Sequence, residues 1–222
     1  MRPLFLYRPY RLFLVVSAAL ILSISLGARA GKYNEVISIG DPMPSFSKLP
    51  TVAGEPLSST DLNEDIVILV SMSNNCPFSQ GIEHDLIAFV DSVKGQSVRV
   101  VAMGFNLHRG DQMDPMKIRA AEKGFNFTYL RDDSQELGRA LGTAVTPEFF
   151  VFDKNRKLAY TGLMHNSPPM AQGDKVAYLR GKPTEYYVAD AVKRLQQGKA
   201  IKVTETSPYG CSVEYKVDKY EH

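Results

Sequence analysis

Apolar and polar segments follow one another along the chain in a way that predicts strands alternating with helices. Two continuous apolar runs, residues 66–72 and 98–105, are typical of strands buried on both faces of a sheet. Between them, residues 77–93 carry apolar side chains at helical spacing, which predicts a helix that Gly95 closes. A second helix is expected over residues 114–123.

The second half of the chain predicts shorter elements: a strand at residues 127–130, a helix at 134–141 and a last helix at 184–197. Residues 148–153 and 157–162 flank a polar turn and predict a hairpin. Residues 163–181 and 199–222 lack periodicity and are expected to be irregular. Alternating strands and helices, then paired strands and a covering helix, predict an α/β fold with a mixed sheet between helices.

The N-terminus has the pattern of a secretory signal peptide. Arg2, Arg8 and Arg11 precede a largely apolar stretch at residues 12–26, and a small-residue cleavage pattern ends at Ala30. The apolar stretch is short for a membrane span. We therefore predict cleavage after Ala30 and a periplasmic or secreted protein. An uncleaved segment, which would be the chain's one contact with a membrane, is the alternative.

Removing the predicted signal changes the charge of the chain. Residues 1–30 hold four arginines and no acidic residue, which leaves 22 basic and 24 acidic side chains. Nothing in this balance points to nucleic acid or an acidic membrane surface as a partner. The remaining ~190 residues suit one domain, which we place at residues 31–198, followed by a tail at 199–222.

Cys76 has the most informative local pattern in the chain. It follows an apolar strand and a short polar turn, and Pro77 suits the first position of the helix that comes next. A cysteine at the start of a helix faces unpaired backbone N–H groups and the positive end of the helix dipole, which favour the reactive thiolate. The alternative is a small buried core thiol.

Thr146 and Pro147 stand directly before the predicted strand at residues 148–153. A proline that leads into a strand can hold a cis peptide bond, although an ordinary trans proline at a strand start fits the same pattern. The sequence around Pro147 leaves both conformations open.

Several segments resemble the redoxins, thioredoxin-fold proteins of the alkyl hydroperoxide reductase/thiol-specific antioxidant class. They are IGDPMPSF at residues 39–46, NCPFS at 75–79, GFNFTYLRD at 124–132, TPEFF at 146–150, LQQGKA at 195–200 and GCSV at 210–213. The resemblance covers roughly residues 39–215, and its last two segments are similar to a peroxiredoxin-like subgroup. It implies a thioredoxin-like fold with a central mixed sheet flanked by helices.

The resemblance also implies roles for single residues. Cys76 matches the first cysteine of a thioredoxin C-x-x-C, which is the exposed attacking thiol. Pro147 matches the cis-proline that faces the site, and Thr146 would offer backbone hydrogen bonds to a bound peptide as a short added strand. Pro77 and Ser79 join these two as the residues expected to contact the substrate.

Two departures from the family pattern bear on the chemistry. Ser79 stands where the second cysteine should be, so no local disulfide can form and Ser79 cannot resolve a mixed disulfide. Peroxiredoxins place their peroxide-attacking cysteine at this same position, in a P-x-x-x-T-x-x-C pattern whose Thr and Pro are absent here. The peroxidase interpretation is weakened, although a thiolate at Cys76 can still react with peroxide.

Cys211 is the second of the two cysteines and can replace the missing partner from 135 positions away. Two interpretations stay open: a redox couple in which Cys76 attacks and Cys211 resolves, or a permanent structural disulfide that silences Cys76. The reduction potential distinguishes them, because structural disulfides lie below about −300 mV.

Three functions follow from these residues. The first is an exported thiol–disulfide or antioxidant oxidoreductase acting on protein thiols, disulfides or peroxide. The others are a one-cysteine peroxidase reduced by an external thiol, and a non-enzymatic binding module with a structural disulfide. No cofactor is implied, because the sulfurs carry the electrons.

The histidines give weaker signals. His84 is expected to be solvated on the first helix, and His108 follows a strand and can approach the site. His165, near Met164 and Met170, also suggests a copper carrier as a more distant alternative.

Overall fold

A five-stranded mixed sheet organises residues 31–217, the part of the chain described by the structure, which is a computed structural model. The predicted signal peptide lies outside these residues. The sheet order is β3-β2-β1-β5-β6; β1, β2 and β3 run parallel, and β5 and β6 are antiparallel to their neighbours. The strands of this sheet are β1 Ile66–Ser71, β2 Val98–Gly104, β3 Thr128–Arg131, β5 Glu148–Phe152 and β6 Leu158–Gly162. The remaining strands are β4 Val145–Thr146, β7 Pro169–Gln172, β8 Lys175–Tyr178 and β9 Cys211–Ser212.

Helices cover both faces of the sheet. They are α1 Pro77–Ser92, α2 Met113–Lys123, α3 Glu136–Ala140 and α4 Tyr187–Gln196, with 3₁₀ turns at Ser59–Asp61 and Arg109–Asp111. One buried cluster joins side chains of α1, α2 and α4 to one face of the sheet, and a second joins α3 and the N-terminal lead-in to the other. All six residues of β1 are buried, which explains its continuous apolar sequence and confirms the predicted α/β architecture with a mixed central sheet.

The hairpin of β7 and β8 lies in the segment expected to be an irregular loop. Strand β7 packs on α1 at Gly81, where a Cβ atom would come within 2.8 Å of the Pro169 carbonyl oxygen. The hairpin therefore depends on a close approach between two backbones, which the local sequence pattern does not reveal. The other predicted helices and strands appear within a few residues of their expected bounds.

The tail expected to be irregular contributes the short strand β9, which pairs antiparallel with β4. Its remaining described residues pack along the domain without regular structure. Within residues 31–217, no helix is long and apolar enough to cross a membrane.

Candidate active site

Cys76 is the N-cap residue of α1, directly after the turn that follows β1. Its backbone is extended and Pro77 occupies the first turn of the helix, as the sequence predicts. The Cys76 carbonyl oxygen accepts the first helical hydrogen bond from the Gln80 N–H at 2.9 Å. The side chain of Cys76 therefore lies at the positive end of a 16-residue helix.

A buried carboxylate holds the turn before Cys76. Asp111, which is fully buried, accepts hydrogen bonds from the Ser73 hydroxyl at 2.8 Å and the Asn74 N–H at 2.5 Å. The Ser79 hydroxyl oxygen accepts from the Ser73 N–H at 3.2 Å, and Ser79 is also fully buried. Ser79, at the position of the second cysteine in a C-x-x-C motif, thus contacts the backbone of the turn. Asp111 was not among the residues predicted for the site, because only the fold brings it to the turn.

The peptide bond between Thr146 and Pro147 is cis. Ser71 at the end of β1 fixes the start of this loop: its hydroxyl donates to the Val145 carbonyl at 2.8 Å and accepts from the Glu148 N–H at 2.8 Å. The loop lies against the start of α1, with the Thr146 carbonyl oxygen 3.0 Å from Cys76 Sγ. Of the two conformations that the sequence left open at Pro147, the structure has the cis form.

Cys76 and Cys211 form a disulfide with their Cα atoms 5.8 Å apart. The segment around Cys211 lies over the site, so Cys76 is only 2% exposed. The exposed attacking thiol that the family resemblance implies is therefore covered in the oxidised protein. The disulfide sulfur carries no hydrogen, so its approach to Thr146 is a polar contact. In the reduced protein the Cys76 thiol can donate a hydrogen bond to this oxygen. This bond favours the protonated thiol, whereas the N-terminus of α1 favours the thiolate.

A pocket of about 140 Å³ borders the disulfide. Both cysteines line it, together with His108, Asp111 and Glu214 among others. His108 is exposed, and its Nδ1 accepts a hydrogen bond from the Gly110 N–H at 3.2 Å, which leaves Nε2 to carry the proton in the neutral ring. His108 thus reaches the site, whereas the His84 side chain is 91% exposed and is solvated on α1.

Glu148 is a buried carboxyl group directly after the cis-proline. Burial is the main influence on it and raises its pKa to about 7, although hydrogen bonds from the backbone of Ala144 and Val145 act in the opposite direction. Its side chain accepts from the Ala144 N–H at 3.1 Å. Its position directly after Pro147 was the one sequence signal that could have identified Glu148 as part of the site. Nothing in the local pattern showed that this side chain points inward.

His165 belongs to a second buried polar cluster, which includes Asp85 of α1. Its Nε2 lies 3.1 Å from an Asp85 carboxylate oxygen, and the Tyr178 hydroxyl donates to the same carboxylate at 2.9 Å. Burial acts to raise the pKa of Asp85, but the hydrogen bonds from His165 and Tyr178 together lower it. Among residues 31–217, no three His, Cys, Asp or Glu side chains are grouped as metal ligands.

Solved structures with the same architecture come from several bacteria. An uncharacterized conserved protein from Geobacillus kaustophilus is 26% identical with a TM-score of 0.73, covering 83% of this chain and 96% of its own. A hypothetical protein from Sinorhizobium meliloti is 26% identical with a TM-score of 0.72, covering 83% and 98%. The thioredoxin domain of a thiol-disulfide oxidoreductase from Bacteroides vulgatus, 14% identical with a TM-score of 0.50, covers 57% and 89% and shares the fold.

The sequence comparisons agree with the resemblance of the motifs. A search of curated protein sequences finds no significant match. The model of the AhpC/TSA family matches residues 39–161, which include Cys76, the cis-proline loop and most of the central sheet. This match spans more than half of the chain, which therefore belongs to the AhpC/TSA family of thioredoxin-like proteins.

Proposed function

We propose that this protein is an exported thiol–disulfide oxidoreductase in which Cys76 is the nucleophile and Cys211 the resolving cysteine. One observation carries the proposal: the disulfide joins the cysteine at the start of α1, beside the cis-proline loop, to a cysteine in the tail. Membership of the AhpC/TSA family supports the same chemistry. Ser79 cannot resolve a mixed disulfide, and Cys211 supplies the second thiol that it lacks.

The proposed reaction transfers two electrons from the cysteine pair to a substrate. The Cys76 thiolate attacks one sulfur of a substrate disulfide, forms a mixed disulfide with it and releases the other sulfur as a thiolate. The Cys211 thiolate then attacks Cys76 Sγ, closes the intramolecular disulfide and releases the first substrate sulfur. An external thiol reductant restores both cysteines, and the reverse sequence oxidises a substrate dithiol.

The two cysteines differ in the features that make a sulfur nucleophilic. Cys76 caps a long helix whose first N–H groups have no helical partner, and these groups favour a thiolate. Cys211 lies on a two-residue strand and is not the capping residue of any helix among residues 31–217. This asymmetry supports Cys76 as the attacking residue.

Export is supported by the disulfide itself, because stable disulfides persist mainly in oxidising compartments. The signal-peptide pattern at residues 1–30 points to the same location. We therefore propose a periplasmic or secreted protein, whose substrates would be protein thiols, protein disulfides or peroxide.

The experiment that tests this function is a measurement of the reduction potential in thiol buffers, with the disulfide followed by mass spectrometry. We expect a potential well above about −300 mV, in the range of working thiol–disulfide couples. Cys76→Ser serves as the matched control that cannot form the bond. A potential below this value would overturn the redox function and establish a structural disulfide.

A second candidate, the binding module with a structural disulfide, is favoured by the contacts of the tail on both sides of Cys211. Before Cys211, the Thr206 N–H donates to the Thr161 carbonyl at 3.0 Å. After it, the Tyr215 hydroxyl donates to the Thr143 carbonyl at 2.8 Å. If the protein is such a binding module, it still binds its partner after Cys76→Ser removes the disulfide.

The one-cysteine peroxidase is separated from both by stopped-flow measurement of peroxide consumption in the reduced protein. A rate near that of free cysteine excludes it. A fast rate that persists in Cys211→Ser, with an external thiol as reductant, supports it.

A further inference from the structure

The tail crosses the active site as an added strand. Cys211 pairs with Thr146 and Ser212 with Val145, in antiparallel register, and the Val213 N–H donates to the Ala144 carbonyl at 3.0 Å. Main-chain pairing of this kind binds an extended segment largely independently of its side chains. The covalent bond to Cys76 and the pairing with Thr146 together give the tail the arrangement of a substrate held in a mixed disulfide.

Gly210, immediately before Cys211, meets the loop so closely that a side chain is excluded. A Cβ atom at this position would lie 2.1 Å from the Thr146 carbonyl oxygen and 2.7 Å from its carbonyl carbon. Both atoms belong to the backbone beside the cis-proline, so neither can move aside like the end of a flexible side chain. A segment bound in this register therefore requires glycine before its cysteine.

Tyr209, one position further back, fills a recess beside the site. Its ring packs edge-on against Phe78, with the ring centroids 5.2 Å apart. It also forms part of the wall of a cavity of about 10 Å³, which Pro147 and His165 line as well. Tyr209 is 47% exposed, whereas His165 is 2% exposed, so Tyr209 lies on the solvent side of the recess and His165 in its interior.

His165 contributes to the recess a polar atom without a hydrogen-bond partner in the described part of the chain. Its Nδ1 is buried and has no hydrogen-bond partner among residues 31–217, although Nε2 is bound to Asp85. A buried polar atom without a partner is costly, and His165 Nδ1 is such a position in an otherwise apolar recess. The small remaining volume is about that of one water molecule while Tyr209 is in place.

We propose that Tyr209, Gly210 and Cys211 occupy, within the same chain, the site of an external protein substrate. This site selects an extended segment whose cysteine follows a glycine and, one position earlier, an aromatic residue. The inference rests on the proposed thiol–disulfide function and names the substrate class. The disulfide holds the tail in this site, and after reduction the tethered tail still competes with external segments through its high effective concentration.

The test uses the full chain with Cys211→Ser, so that Cys76 is free, and peptides of the sequence TSPYGCSV (residues 206–213). The peptide cysteine carries a thionitrobenzoate group in disulfide linkage. The Cys76 thiolate attacks the peptide sulfur, forms the mixed disulfide and releases coloured thionitrobenzoate, so the rate is read directly. Cys76→Ser in the same chain measures the background.

The peptide with its glycine changed to alanine is expected to react at least about tenfold more slowly, because the added Cβ meets the Thr146 backbone. Changing the peptide tyrosine to serine is expected to slow the reaction about fivefold through loss of the aromatic contact. Gly210→Ala in the Cys211→Ser chain displaces the protein's own tail and is expected to speed the unchanged peptide. All peptides are compared on one protein preparation, so a folding defect cannot produce the ranking.

Equal rates for the three peptides would overturn the substrate preference, provided that the small disulfide of thionitrobenzoate itself reacts readily with Cys76. If that small disulfide also fails to react with the reduced chain, the proposed function falls, and this inference falls with it. The two failures are therefore distinguished by one reagent that needs no subsite.

Discussion

The two cysteines of the disulfide are held by different kinds of structure. Cys76 stands between β1 and α1, and Asp111 and Ser79 fix the turn before it by hydrogen bonds. Cys211 lies on a two-residue strand between stretches without regular structure. One sulfur is therefore part of the core architecture, and the other is delivered by a segment laid on its surface.

The segment beyond Cys211 is tied to the domain by side chains. The Gln135 side-chain amide donates to the Glu214 carbonyl at 2.8 Å, and its oxygen accepts from the Lys216 N–H at 2.7 Å. The Tyr215 ring stacks on Phe105 with centroids 6.1 Å apart. These contacts do not include the disulfide, so the tail has its own attachment. Cys76 is thus fixed by the core, whereas Cys211 is held by contacts that can be altered separately.

Loss of the disulfide is expected to have the largest effect on stability. Cys211→Ser opens a loop of 135 residues, and we expect the free energy of unfolding to fall by about 3 to 5 kcal/mol. The measurement is urea denaturation under oxidising conditions. Cys76→Ser is the matched variant and should lose a similar amount, because both halves share one cross-link. A loss below about 1 kcal/mol for Cys211→Ser would mean that the cross-link does little to constrain the unfolded chain.

The same contrast explains how much could be predicted from the sequence. The strand, turn and Cys-Pro pair around Cys76 form a local pattern, and the structure has the helix where this pattern predicts it. The family resemblance named Pro147, and the cis bond is present. These features depend on residues close together in the chain, which is why sequence patterns reveal them.

The remaining features of the site depend on distant contacts. Asp111 reaches the turn from beyond β2, and Glu148 points inward for reasons that only the packing shows. The sequence suggested that Cys211 can pair with Cys76, but not that Gly210 would lie against the Thr146 carbonyl. Such close approaches are set by the tertiary structure and leave no periodic signal.

The buried carboxyl group of Glu148 allows a test of the part of the site that belongs to the core, beside Cys76 and the cis-proline. Burial raises its pKa from 4.5 to about 7, so the folded chain holds the proton more tightly than the unfolded chain. Stability should therefore decrease as the pH rises from about 4.5 to about 7, by a total on the order of 3 kcal/mol. Glu148→Gln should remove most of this slope in urea denaturation, whereas the exposed Glu122→Gln should keep it. A wild-type slope unchanged in Glu148→Gln would contradict the assignment.

The attachment of the tail can be weakened without touching either sulfur. Tyr215→Ala removes the ring stacked on Phe105, the cation–π contact with Arg139 at 4.7 Å and the hydrogen bond to Thr143. The reduced tail gains freedom while the oxidised tail stays bonded, so the reduction potential should rise by about 20 to 40 mV. Tyr215→Phe keeps the ring and should shift the potential less. Equal potentials for wild type and Tyr215→Ala would show that these contacts do not control the pairing of Cys211.

The smallest effect is expected for Ser79→Ala. This substitution tests the core part of the site, at the position of the missing second cysteine. The change leaves the buried Ser73 N–H without the acceptor that lies 3.2 Å away, so stability should fall by about 1 kcal/mol. Oxidised and reduced proteins lose this bond alike, and the potential should stay within about 10 mV of wild type. Paired measurements on Ser79→Ala and Tyr215→Ala then separate stability from redox control. A potential that moves as far in Ser79→Ala as in Tyr215→Ala would mean that the turn, and not the tail, sets the redox balance.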